Sequence, residues 1–192
     1  MIIFDRLTEL TIVVLGNIIE CKAPSHPWDT VQNEIFERLE CPSLTSLELR
    51  SRIFHHLDFT PEQEEKRYLL TVTFADFVSR SKLSTRLESF DLVGFKMKDW
   101  QVLDVLEAIP GVREVKIGEW IGYGPMVLEE PTSPIFTKYF FEELRRDVVP
   151  VGAATILVPD LKVLRIEFYR KLWDKIPELV EELGRWIEVY KV

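Results

Sequence analysis

The chain of 192 residues carries 24 Lys and Arg against 32 Asp and Glu, which gives a formal net charge of −8. Its hydrophobic residues, 46% of the total, are enough to form a buried core, so the composition excludes a disordered chain. The acidic balance also argues against a nucleic-acid partner, because phosphate binding requires Lys and Arg. We expect one domain, residues 1–192.

The N-terminal region is apolar but does not resemble a targeting segment. Asp5, Arg6 and Glu9 interrupt it, and no run of roughly 18 apolar residues occurs in the chain. Two cysteines, Cys21 and Cys41, allow at most one disulfide. We therefore expect an intracellular protein, cytoplasmic or nuclear, with no membrane partner.

An apolar spacing of the form Leu-x-x-Leu-x-Leu, with apolar substitutions, recurs along the chain. The copies are Leu7–Leu10–Ile12, Leu44–Leu47–Leu49, Leu87–Phe90–Leu92, Val112–Val115–Ile117 and Leu161–Leu164–Ile166. The last two apolar positions of each copy are two residues apart, which is the period of a strand with one buried face. The sequence therefore predicts five strands that belong to an internal repeat.

Polar residues separate the last two apolar positions of every copy. They are Thr11, Glu48, Asp91, Lys116 and Arg165. A doubly wound sheet is covered by helices on both faces, and its strands are nearly continuous apolar runs. One polar face instead favours an α/β fold of the leucine-rich-repeat-like kind, an open curved parallel sheet with helices on the convex face.

Helical patterns lie between the predicted strands. In chain order they contain Val31, Ile35 and Leu39; Leu70, Phe74, Phe77 and Val78; Val102, Leu103, Leu106 and Ile109; Phe140, Phe141 and Leu144; and Leu179, Val180 and Leu183. Asp99 and Thr137 are the predicted N-caps of the third and fourth helices, and Pro110 ends the third. The fifth pattern, after Asp174, predicts a helix that closes the chain.

The copies are unevenly spaced, so the predicted domain is an irregular one. Their first positions are 37, 43, 25 and 49 residues apart. A leucine-rich repeat usually has roughly 20–29 residues. The long repeats therefore contain either loop insertions or further strands.

Residues that build common catalytic or metal sites are scarce. His26, His55 and His56, with Cys21 and Cys41, lack the paired spacing of a zinc site. No Gly-x-Ser-x-Gly nucleophile motif occurs, and the glycines of GEWIGYGP match no phosphate-binding fingerprint. We predict a non-enzymatic protein without cofactor or metal. A small α/β enzyme with a site at the carboxyl ends of the strands is the alternative.

The polar face of the sheet is the predicted binding surface, because mixed charges recognise another protein through complementary pairs. The predicted partner-binding residues are Glu48, Arg50, Asp91, Glu114, Lys116, Trp120, Arg165 and Glu167. Trp120 belongs to this set because interface energy concentrates in Trp, Tyr and Arg. Phe168, Tyr169 and Trp173 are further aromatic candidates.

Four segments resemble the leucine-rich-repeat-like C-terminal region of fungal F-box proteins. They are CPSLTSLELRS, FADFVSRSKLSTRLESFDL, WQVLDVLEAIPGVREVKIGEW and ILVPDLKVLRIEF. In that family a helix ends near a Pro shortly before each strand, as in CPSL, IPGV and VPDL. The resemblance spans residues 7–186 and implies a substrate receptor of a cullin-RING ubiquitin ligase, in which an F-box binds the ligase adaptor and the repeats hold the target.

The sequence departs from that family where the F-box would lie, because the first copy begins at Leu7. We therefore expect another protein as the partner on the concave face, and a ligase adaptor only if an F-box is supplied. A further alternative is a solenoid fragment without independent function. Its mark would be an exposed apolar flank and an unpaired edge at the first strand.

Overall fold

Short parallel strands alternate with helices in the computed structural model, which describes residues 1–17, 35–54, 72–95, 97–118, 136–146, 158–167, 181 and 188–191. The strands are β1 (Ile2–Ile3), β2 (Glu9–Asn17), β3 (Leu39–Glu40), β4 (Ser46–Phe54), β5 (Ser89–Val93), β6 (Glu114–Gly118), β7 (Val163–Glu167) and β8 (Glu188–Lys191). The helices are α1 (35–38), α2 (72–81), α3 (Asp99–Glu107) and α4 (Lys138–Arg146). The predicted α/β class is confirmed.

The main sheet has six parallel strands whose order, β2-β4-β5-β6-β7-β8, follows the order of the chain. Each predicted strand copy lies in it, as β2, β4, β5, β6 and β7. A separate parallel pair, β1 and β3, joins residues 2–3 to 39–40. Because the strand order never reverses, each strand of the sheet pairs only with its immediate neighbours along the chain, as in a solenoid.

One predicted helix position is wrong, and so is the prediction that a helix closes the chain. Leu39 lies in β3 rather than in a helix, because β1 offers its backbone a parallel partner at Ile2. β8 follows the last helical pattern and closes the described part of the sheet by pairing with β7. In both cases the spacing of apolar residues indicates which side chains are buried. It does not show whether a strand elsewhere in the chain will form backbone hydrogen bonds with the segment. Leu179, Val180 and Leu183 lie outside the described residues.

Two rows of apolar side chains cover one face of the sheet. The rows are Leu10–Leu47–Phe90–Val115–Leu164 and Ile12–Leu49–Leu92–Ile117–Ile166. Phe74 and Phe77 of α2, Val102 and Leu106 of α3, and Phe140 of α4 belong to the same core. Within the described ranges, the helices therefore cover only this face.

The first copy is less buried than those that follow. Leu7, Leu10 and Ile12 are only partly buried, whereas Leu47 and its neighbours in β4 to β7 have at most a few per cent of their surface exposed. Ile2 and Ile3 of β1 are each 53% exposed. The apolar core therefore thins toward the β2 edge.

The helix starts follow from local hydrogen bonds. Thr137 caps α4 as predicted, because its Oγ1 accepts the Phe140 N–H over 3.1 Å. The predicted Asp99 cap is wrong, because Lys98 occupies the cap position and Asp99 is the first helical residue. The Gln101 side chain accepts the Lys98 N–H over 2.9 Å, and Asp99 Oδ1 accepts the Trp100 N–H over 2.8 Å.

The Pro-containing motifs form one recurring turn before the strands. In residues 41–44, 109–112 and 158–161, the last N–H donates to the first carbonyl over 3.1–3.2 Å. Pro42, Pro110 and Pro159 take the second position, where the fixed φ of proline suits a turn. CPSL, IPGV and VPDL are therefore the same structural unit.

A carbonyl at the start of each strand joins successive repeats. The Thr8 carbonyl accepts the N–H groups of Thr45 and Ser46 over 2.9 and 3.0 Å. Thr45, Glu88 and Arg113 repeat this pattern toward the next strand. Because the same offset recurs, the strands from β2 to β7 start in one register, and their side chains form straight rows across the sheet.

Candidate binding surface on the open sheet face

The sheet face opposite the core is called the open face here, because no described helix covers it. Its side chains form a first row Glu9–Ser46–Ser89–Glu114–Val163, a middle row Thr11–Glu48–Asp91–Lys116–Arg165 and a third row Val13–Arg50–Val93–Gly118–Glu167. Neighbours within a row belong to strands about 4.8 Å apart. The open face is therefore a surface of ordered, mostly polar positions.

The structure brings most of the predicted partner-binding residues together on this face. They are Glu48 and Arg50 of β4, Asp91 of β5, Glu114 and Lys116 of β6, and Arg165 and Glu167 of β7. Trp120, Phe168, Tyr169 and Trp173 lie outside the described residues. The described surface is therefore built from charged and hydroxyl groups, with Val13, Val93 and Val163 between them.

The β2 and β4 side of the open face carries a hydrogen-bonded carboxylate. Glu48 accepts a hydrogen bond from the Thr11 hydroxyl over 3.1 Å and forms an ion pair with Arg50 through the guanidinium Nε. Both charged side chains are partly exposed. The two contacts hold Glu48 in place between β2 and β5.

A second ion pair crosses β6 and β7. Lys116 Nζ lies 3.0 Å from Glu167 Oε2, and the Lys116 side chain is only 18% exposed. Gly118 makes room for this pair, because a Cβ there would lie 3.3 Å from Glu167 Oε2 and 2.9 Å from a Val93 methyl. The Glu167 carboxylate therefore lies over a strand position that has no side chain.

A third pair lies nearer the solvent. Arg165 Nη2 is 3.8 Å from Glu114 Oε2, and both side chains are about half exposed. Exposed pairs at this separation contribute little to stability, typically about 0–1 kcal/mol. The Arg165–Glu114 pair therefore adds little to the stability of the fold.

Asp91 occupies the centre of the middle row, between Glu48 and Lys116. Its side chain is partly buried, and the ion pairs and side-chain hydrogen bonds described on this face do not include it. Burial raises the pKa of this carboxyl, and the neighbouring Glu48 raises it further, while Lys116, Arg50 and Arg165 act in the opposite direction. The ionised carboxylate is thus poorly stabilised by the chain itself.

The middle row is divided by charge. Glu48 and Asp91 lie on β4 and β5, and Lys116 and Arg165 follow on β6 and β7. An acidic half therefore adjoins a basic half along one line across the strands. The middle row therefore carries opposite charges on its two sides.

Outside the open face, the described residues include few groups suited to metal binding or catalysis. No group of three or more His, Cys, Asp or Glu within the described residues is placed to hold a metal ion. Cys41 is a buried free thiol whose pKa is raised by burial and by Glu40. His26, His55, His56 and Cys21 lie outside the described residues. Where the structure is described, no helix has the length and apolar character needed to cross a membrane.

Two exposed aromatic side chains on the helical layer escaped the sequence analysis. Trp100 is 38% exposed and Tyr139 is 49% exposed, and each is the second residue of its helix, α3 or α4. The Thr137 hydroxyl donates to Asp99 Oδ2 over 2.6 Å and joins the two helix starts. Their exposure could have been predicted only from helical spacing, which places each of the two residues on the side of its helix that faces away from the core.

Comparisons with known proteins give no match: no protein-family model fits the chain, and neither the curated proteins nor the solved structures contain a significant relative.

Proposed function

We propose that this chain is a non-enzymatic module that binds another protein on the open face of a leucine-rich-repeat-like sheet. The observation that supports the proposal is the set of three straight rows of mostly polar side chains on a sheet face that no described helix covers. Several of the charged side chains on this face, among them Glu114 and Arg165, are about half exposed. Recognition by complementary charge uses such an array directly.

In this proposal the chain forms a single domain, residues 1–192, whose sheet curves so that the open face is concave. The partner contacts Glu48, Arg50, Asp91, Glu114, Lys116, Arg165 and Glu167, with Trp120 at the rim. The role is that of a substrate receptor, cytoplasmic or nuclear, similar to the repeat region of fungal F-box proteins. Ubiquitin transfer would then be carried out by other subunits of a cullin-RING ligase.

The proposal is tested by affinity capture with matched variants of the full chain. Thr11→Arg with Glu114→Arg places bulky charges at two exposed positions of the open face, and Asp76→Arg with Glu107→Arg places the same charges on α2 and α3. Proteins captured from a native extract by the unaltered chain are quantified by mass spectrometry against both variants. We expect the open-face variant to lose the partner and the helix variant to keep it.

The outcomes separate the alternatives. Loss of the partner with the helix variant alone would contradict the open face as the binding surface. Recovery of a ligase adaptor and a cullin would support the receptor role, and recovery of a different specific partner would support a binding module outside that ligase. A chain that captures nothing specific would favour either the alternative of a small α/β enzyme or that of a solenoid fragment, and the partly buried first copy agrees with the fragment.

A further inference from the structure

The partly buried carboxylates of the open face differ in how they are satisfied. Glu48 is held by Arg50 and Thr11, and Glu167 lies 3.0 Å from the Lys116 ammonium. No hydrogen bond or ion pair described on this face includes Asp91. Glu48 and Glu167 therefore each have a close partner within the chain, and Asp91 does not have one among these contacts.

The position of Asp91 makes this difference informative. It is the central member of the middle row, with Thr11 and Glu48 on one side and Lys116 and Arg165 on the other. A buried carboxylate is stable as an anion only when it is paired or hydrogen-bonded. Attraction from Lys116, Arg50 and Arg165 only partly offsets the burial of Asp91 and the charge of Glu48, so a further cation would stabilise the ionised carboxyl.

The charges that face Asp91 determine what it accepts. Glu48 on β4 adds negative charge beside it, and Arg50 on the same strand is engaged by Glu48. Lys116 on β6 pairs with Glu167, and Arg165 on β7 lies 3.8 Å from Glu114. A cation that approaches over β4 and β5 would meet the carboxylates of Glu48 and Asp91, and Arg50 is already paired with Glu48.

We infer that Asp91 receives a Lys or Arg side chain from the protein partner. The ammonium or guanidinium donates hydrogen bonds to the carboxylate, and its charge lies within reach of Glu48 as well. Charge-assisted hydrogen bonds of this kind are roughly twice as strong as neutral ones. This inference rests on the proposed function, because it assumes that the partner lies on the open face.

The defined probe is a library of displayed random peptides of about a dozen residues, a length that suits known modes of peptide recognition. The library is selected on the immobilised full chain, and enriched peptides are synthesised for affinity measurements. Each is measured against the unaltered chain, Asp91→Asn and Asp76→Asn. Asp76 is an exposed residue of α2, so its variant makes the same chemical change away from the open face.

We expect the enriched peptides to share one Lys or Arg at a fixed position. Asp91→Asn should weaken their binding by about tenfold or more, since removal of one partner from a desolvated charge pair has a large effect. Asp76→Asn should leave the affinity unchanged. Replacing the basic residue of the peptide by norleucine should weaken binding to the unaltered chain and have little further effect on Asp91→Asn, which is the signature of a direct pair.

Amide chemical shifts of the labelled chain separate the two ways to fail. Peptides that shift β4 and β5 amides but show no coupling to Asp91 would overturn the pairing and leave the open-face function intact. Peptides that shift only α2, α3 or α4 amides, or a library without any enriched peptide, would overturn both.

Discussion

At the scale of single residues, ionised Asp91 lowers the stability of the folded chain, although we propose that it binds the partner. The raised pKa means that the folded chain holds the proton of this carboxyl more tightly than the unfolded chain, whose value is near 3.8. Ionised Asp91 therefore lowers stability at neutral pH, and this penalty disappears as the pH falls through the folded-state pKa. The residue that we propose for partner recognition is thus one that the isolated chain would fold better without, a trade-off common at binding sites.

Replacement of Asp91 by Asn should therefore stabilise the chain at neutral pH. The gain over the unaltered chain should shrink as the pH falls through the raised folded-state pKa and should be gone below about 3, where the carboxyl is largely protonated in both states. Urea unfolding midpoints across that range measure the effect, and Asp76→Asn serves as the control that should show no gain. A less stable Asp91→Asn chain at neutral pH would mean that attraction to Lys116 and Arg50 outweighs burial.

Substitution by alanine should lower the free energy of unfolding by different amounts at two glycines. Gly94 has a φ of +80°, and a Cβ there would lie 2.2 Å from the Ser51 carbonyl oxygen. Gly94→Ala should lower the free energy of unfolding by at least about 2 kcal/mol, because both the backbone conformation and the contact are unfavourable. Urea denaturation checks this value.

Gly118→Ala is the comparison for Gly94→Ala, because its added methyl would meet side chains instead of backbone. The nearest atoms belong to Val93 and Glu167, which can rotate away. We expect a smaller loss, on the order of 1 kcal/mol, accompanied by looser contact between Glu167 and Lys116. Equal losses for the two variants would contradict this account.

At the scale of elements, the sequence was most informative where a local rule decides the structure. The strand copies were predictable because alternation over a few residues reports one buried face, and the turns were predictable because proline presets φ at their second position. β1, β3 and β8 were missed because they are two to four residues long and exist through pairing with a distant segment. No local pattern reports that kind of partner.

The start of α4 gives a prediction at this scale. Thr137 accepts the Phe140 N–H and donates its own hydroxyl hydrogen to Asp99, so it joins two helix starts as well as capping one. Thr137→Ala should cost about 1–2 kcal/mol of stability, near the upper part of the range for a cap. Thr137→Ser keeps the hydroxyl and should recover most of it in urea unfolding.

A double-variant cycle isolates the link between the two helices. If Asp99 accepts the Thr137 hydroxyl as described, Asp99→Asn and Thr137→Ala should not add in their effects on unfolding. Additive losses would show that Thr137 acts only as a cap of α4. The cycle needs no knowledge of the partner.

At the scale of the whole molecule, burial predicts a gradient of stability along the repeats. Leu10 and Leu47 are neighbours in one core row, but Leu47 is 1% exposed and Leu10 is only partly buried. Leu47→Ala should cost about 2–5 kcal/mol, the range for buried leucines, and Leu10→Ala clearly less. Hydrogen exchange should show the same order, with faster exchange of β2 amides than of β5 amides.

The open face was predictable as a surface but not as a set of contacts. Alignment of the copies placed Glu48, Asp91 and Lys116 in one row, because side chains two residues apart in a strand share a face. Which charges pair was outside the reach of the sequence, since Glu48 has both a same-strand and a cross-strand partner in range. That Asp91 is left out of these pairs could be seen only once the structure showed which charged side chains form them.

The agreement between strand order and chain order has a mechanical consequence. Force applied between β2 and β8 acts across the hydrogen bonds that join neighbouring strands, so it opens one pair of strands at a time. The molecule should lengthen in a series of small steps at low force, each step releasing one repeat, rather than break in a single event. We therefore expect the chain to extend gradually when it is stretched between two attachment points.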